Sequence, residues 1–140
     1  MSDDHGGCKI KLRNWAGVPI IEAIGDLNET ALSTLEDAVR RLGAAGHYHI
    51  ILNLKKAARV NFKALDCLGA AISQIRRRHG AVDLVAEAAQ IREMMGLGNL
   101  VGLFRFNASE SQAVRKIKKL LLLPDEKPAA GTPARLMELQ

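Results

Sequence analysis

His49-Ile50-Ile51-Leu52-Asn53-Leu54, followed by Lys55-Lys56-Ala57-Ala58-Arg59 and then Val60-Asn61-Phe62-Lys63-Ala64-Leu65-Asp66-Cys67-Leu68, is the stretch whose reading decides the fold. Its first part is an apolar run broken only by Asn53, which suits a central strand covered on both faces of a mostly parallel sheet. Leu65, Leu68, Ile72 and Ile75 then recur at three- and four-residue steps, so they share one stripe of a helix. Asn61 stands where an N-cap would, its side-chain oxygen available to an orphan amide of the first turn. Open α/β sheets bind their ligands outside the carboxyl ends of the strands. Function is therefore expected first at residues 55–66.

Upstream, Lys9-Ile10-Lys11-Leu12-Arg13 alternates strictly, which predicts a half-buried strand at a sheet edge. Asn14-Trp15-Ala16-Gly17 supplies a turn, and Val18 to Ile24 a second strand paired with the first as a hairpin. Gly25-Asp26-Leu27-Asn28 then opens a helix over about residues 29–42, with Ala31, Leu35, Ala38, Val39 and Leu42 facing inward. Downstream, Gly80 reads as the left-handed cap of the helix that contains Ile75. Val82 to Val85 is a short strand, Ala88 to Met95 a helix, Leu103 to Phe106 a last strand, and Ser109 the cap of a final helix. Strands alternating with helices predict an α/β domain with right-handed crossovers. The expected architecture is a mixed sheet of about five strands flanked by about four helices. Residues 1–8 and the Pro- and Ala-rich residues 124–140 read as flexible ends around a domain at 9–123.

A chain of 140 residues with 48% hydrophobic and 25% charged residues fits one soluble domain. Aromatics make up only 4%, so the core must be aliphatic. No apolar run approaches the roughly 20 residues that span a bilayer, and direct membrane insertion is not expected. The acidic start Met1-Ser2-Asp3-Asp4 lacks the apolar segment of a secretory signal. Two cysteines, Cys8 and Cys67, make no disulfide framework, and the expected location is the cytoplasm. The net charge of +5 resides largely in Arg76-Arg77-Arg78-His79 and in Arg115, Lys116, Lys118 and Lys119. The first cluster complements a helix C-terminus, and the second flanks an apolar stripe. Neither is interleaved with aromatics that stack on bases, so nucleic acid is not the expected partner.

Nothing in the chain resembles a catalytic apparatus, and nothing calls for a cofactor. His47 and His49 have no third metal ligand nearby in sequence. Cys67 lacks a paired base and reads as packing. No glycine-rich phosphate loop follows a strand, and Met94-Met95 reads as core. What remains is the loop. Lys55, Lys56, Arg59 and Lys63 gather before a helix start, where free amides and the dipole favour anions; solvated lysines of an ordinary loop are the plainer reading. Phe62 either tucks under the loop or stands out as an aromatic anchor for a partner.

In order and spacing the chain resembles a STAS domain (sulfate transporter and anti-sigma factor antagonist). The matching segments are Ile20 to Asn28, Ile50 to Leu54 with the following Val60 to Leu68, Gly80 to Val85, Met95-Gly96-Leu97, Leu103 to Phe106, and Ser109 to Val114. The resemblance implies a STAS-like fold and a non-enzymatic switch that binds other proteins. Antagonist members of that family bind a kinase-type anti-sigma factor, which phosphorylates a serine or threonine at the start of the helix after the central strand. Aligned on Val60 and Leu65, that acceptor position falls on Phe62, and no hydroxyl side chain lies between Lys55 and Gly69. Phosphorylation at the usual place is therefore not expected. On this resemblance Arg59, Asn61, Phe62, Lys63 and Asp66 form the partner surface, with signalling and transcription regulation as the context. Two alternatives stay open: an anion- or nucleotide-sensing domain using Lys55, Lys56, Arg59 and Lys63, and a subunit of an ABC transporter complex. An exposed edge strand at residues 9–13 would also permit a homodimer.

Overall fold

The computed structural model describes residues 8–121; the ends expected to be flexible fall almost wholly outside this range. The chain opens with a hairpin of β1 (Cys8–Trp15) and β2 (Val18–Asp26), paired antiparallel from Cys8 opposite Gly25 to Trp15 opposite Val18. Helix α1 (Glu29–Ala44) follows, its first turn capped by Asn28, whose side-chain oxygen accepts from the Ala31 amide at 2.9 Å. Next come β3 (His49–Asn53), a two-residue β4 (Ala57–Ala58), a 3-10 helix (Phe62–Leu68), and α2 (Gly69–Arg76) running directly on from it. The remainder is β5 (Ala81–Val85), α3 (Ala88–Met95), α4 (Gly98–Val101), β6 (Phe104–Asn107) and α5 (Glu110–Leu120).

The main sheet runs β1-β2-β3-β5-β6, with β1 antiparallel and the other pairings parallel. Beyond Asn53 the β3 backbone leaves the sheet, and β4 takes the vacated place beside β2, pairing Gly25 with Ala57 and Asp26 with Ala58. This short strand anchors the loop that leads to the 3-10 helix, and no side-chain pattern in Ala57-Ala58 announces it.

Alternation along the strands divides the core in two. Ile21, Ala23, Ile50, Leu52, Val82 and Leu84 meet α1, the 3-10 helix and α2 on one face. Val18, Ile20, Ile51 and Val85 meet Ala113, Val114 and Ile117 of α5 on the other. Ile50, Ile51 and Leu52 are completely buried, as their unbroken apolar run requires.

The turn after α2 departs from the sequence reading. Gly80 is not the left-handed residue; His79 is, at φ 64°. Glycine is needed at 80 because the chain passes directly under the Tyr48 carbonyl, where a Cβ would lie 1.9 Å from the oxygen.

Candidate functional site

Three expectations about the segment after β3 need correction. Phe62 does not stand out as an anchor: only 6% of it is exposed, and it joins Leu65 and Leu68 in the core beneath the 3-10 helix. Burying that ring stabilises the fold more than solvent exposure at the loop tip could, by about 2–3 kcal/mol. Asn61 occupies the position before the helix but its side chain makes no cap; the turn closes instead through the Ala64 amide on the Asn61 carbonyl, at 2.9 Å. Cys67, read as packing, is exposed. Partial burial, with Glu36 and Asp66 nearby, pushes its thiol above the ordinary range, which disfavours the reactive thiolate.

What the segment presents outward is Arg59, Asn61, Lys63, Asp66 and Cys67, all exposed. Arg59 adopts a left-handed backbone, φ 51°, just past β4. Two of the loop's four cations face carboxylates. Lys56 lies 3.7 Å from Glu22, and Arg59 lies 3.8 Å from Asp26. Lys55 is half-buried, its amide held 2.9 Å from the Asn53 side-chain oxygen.

Helices α3 and α4 pack beside the 3-10 helix and extend its surface. Met94 is sealed in the core, whereas Met95 is 53% exposed and Val101 on α4 is 49% exposed. The Met94-Met95 pair therefore splits between core and surface. A helical period assigns one methionine to the core and gives no warning that its neighbour is left bare.

A polar network ties the carboxyl end of β3 to the other face of the sheet. Arg13 of β1 reaches Glu22 at 3.2 Å and grips both oxygens of Glu110, at 3.2 and 2.5 Å. The Asn53 amide donates to Glu110 as well. Asn53 is the lone polar residue of the apolar run, and a buried amide of that kind demands partners; its oxygen takes the nearby Lys55 amide, but the acceptor for its NH2 group sits 57 residues away, which local pattern cannot reveal. A second buried cluster joins the fully buried Asp83 to Arg105 at 2.5 Å and to Asn107 at 3.1 Å.

Desolvation acts to raise the Glu110 carboxyl, but hydrogen bonds from Arg13 and Asn53, with the charges of Arg13 and Lys56, outweigh it and hold the group below its usual range. A carboxylate depressed in the folded state contributes stability above its unfolded value, and that stability is lost as pH falls through the folded value. Urea midpoints of wild type should therefore decline below about pH 4.5, and Glu110→Gln should flatten part of that decline. At neutral pH Glu110→Gln should cost about 1–2 kcal/mol. An unchanged acid limb in the variant would show that Glu110 does not titrate this way.

No helix among the described residues is long and apolar enough to cross a membrane. No protein-family model matches the chain, and no curated protein matches it by sequence. Solved structures do match. An anti-sigma factor antagonist from Mycobacterium paratuberculosis superposes with a TM-score of 0.69 at 16% identity, covering 84% of this chain and 99% of that one. The anti-sigma factor antagonist SpoIIAA in its unphosphorylated form gives 0.65 at 14% identity, over 79% and 97% of the two chains. The phosphorylated form of the Bacillus cell fate determinant SpoIIAA gives 0.60 at 14% identity, over 78% and 99%. With near-complete coverage of those structures and the mixed sheet described above, this chain has the STAS-like fold of the anti-sigma factor antagonists.

Proposed function

We propose that this chain is a non-enzymatic docking module that binds a kinase-type anti-sigma factor or a related regulator through the 3-10 helix and its flanks. The observation that carries the reading is the composition of that surface. Exposed Asn61, Lys63 and Asp66 adjoin two helices that each leave a large apolar side chain, Met95 and Val101, in solvent. Protein interfaces combine such apolar contacts with a polar rim. In this reading Phe62 supports the surface from below and makes no direct contact. Lys63 and Asp66 set charge complementarity, with Arg59 at the rim.

The segment also lacks a hydroxyl from Lys55 to Gly69. An added phosphate near the helix start is thus not available as an off-switch, and binding is constitutive as far as this segment is concerned. Titration against purified kinase-type anti-sigma factors from the same organism tests the reading. Lys63→Glu should lower the association rate about tenfold at low salt, since rim charges act mainly on association, while leaving the unfolding midpoint within about 0.5 kcal/mol. Equal rates for wild type and Lys63→Glu would remove Lys63 from the interface.

A further inference from the structure

We propose a second binding site at the opposite end of the sheet: a cleft between the C-terminal ends of α1 and α2 that takes a small phosphate ester carried on an apolar or aromatic body. The cleft has a volume of about 390 Å³, within the range of small-ligand pockets. Its apolar floor is formed by buried Val39, Ala71 and Ile75. Gly43 allows α1 and α2 to close on each other there, because a Cβ would already meet Ile75 at 3.3 Å.

Arg40, Arg77 and Arg78 line the cleft, and no acidic residue does. Cations at a helix end need no ligand to explain them, so the hydrogen bonding matters. The last carbonyls of α2 are taken by backbone: Ser73 accepts from the Arg77 amide, Ile75 from the Arg78 and Gly80 amides, and Arg76 from the His79 amide. Among the described residues, only Arg76 uses its guanidinium on a carbonyl, that of Gly102 at 2.8 Å. Arg77 has no acidic or carbonyl partner of this kind among the described residues. Arg78 lies over the Tyr48 ring, 5.7 Å from its centroid, which fixes one guanidinium at the cleft. Arg40 is held by Glu36 at 2.5 Å, so one of the three charges is partly offset and two are available. Two guanidinium forks beside an apolar floor suit a phosphate oxyanion with a hydrophobic group attached.

This site lies where β3 and β5 begin, away from the 3-10 helix at the end of β3, and it does not depend on the docking function proposed above. Phenyl phosphate and inorganic phosphate, titrated into the intact protein and followed by backbone amide shifts, test it. Phenyl phosphate should give saturating shifts at Gly43, Ala44, Tyr48 and Arg77, with tighter binding than inorganic phosphate. Arg77→Glu, a change at an exposed position, should weaken binding at least tenfold with the rest of the amide spectrum unaltered. Sedimentation with vesicles containing phosphatidic acid identifies the source. Co-sedimentation lost in Arg77→Glu assigns a lipid headgroup; phenyl phosphate binding without co-sedimentation assigns a soluble ester. Non-saturating shifts, equal binding by Arg77→Glu, or shifts centred on residues 55–63 would overturn the proposal.

Discussion

Phe62→Ala should lower the unfolding free energy by about 4 kcal/mol, the largest loss expected from any single truncation in the segment after β3. Phe62 is only 6% exposed, and its ring lies in the core shared by α1, the 3-10 helix and the inner face of the sheet. Truncation removes its transfer free energy and leaves a cavity that Leu65 and Leu68, both fixed in a tight 3-10 turn, cannot collapse to fill. Since single domains are stable by only about 5–15 kcal/mol, such a loss removes between about a quarter and most of the total stability. Urea denaturation at 25 °C checks this, and a change below about 1 kcal/mol would mean that the ring does not occupy the core. The same substitution would weaken partner binding, but through loss of fold. Phe62→Leu separates the two effects: it keeps an apolar side chain in place, should cost about 1 kcal/mol, and should leave affinity for a partner intact.

Gly80→Ala is the second large effect, with an expected cost of about 3 kcal/mol. A left-handed glycine replaced by alanine would lose only about 1 kcal/mol, and that is the size the sequence reading implies. The structure gives a different cause. The new Cβ would fall 1.9 Å from the Tyr48 oxygen and 2.7 Å from its carbonyl carbon, and a backbone carbonyl cannot swing aside like a side chain. That carbonyl also accepts from the Ala81 amide at 2.9 Å, so moving it disturbs the start of both β3 and β5. His79→Gly provides the contrast. It relieves the left-handed histidine at φ 64° and should be neutral or slightly stabilising. Thermal unfolding of the two variants should therefore move in opposite directions or differ widely. A mild Gly80→Ala with a damaging His79→Gly would refute the crossing geometry.

Periodicity made the alternating architecture readable. The run Ile50-Ile51-Leu52 belongs to a strand buried on both faces, and Lys9 to Arg13 belong to the edge strand β1, where the alternation in burial fails at Leu12, 61% exposed. What could not be read was short or distant. The two residues of β4 and the four of α4 carry no period to detect. The grip of Arg13 on Glu110 links residues 97 apart, and only the fold brings them together. Phe62 was ambiguous for a physical reason: it sits among polar loop residues, yet a 3-10 turn rotates it under the chain while Lys63 beside it stays in solvent. At the candidate docking face the polar members were legible from their place after β3. The apolar members were not, because Met95 adjoins a buried methionine and Val101 lies on a helix too short to predict.

The most direct test of the docking account is a hydrogen-exchange footprint of the full chain with and without a bound anti-sigma factor. Slowed exchange on binding should centre on residues 61–68 and extend to the 95–101 segment of α3 and α4, leaving β1 and α5 unchanged. A footprint on β1 or α5, with residues 61–68 exchanging as in the free protein, would contradict it.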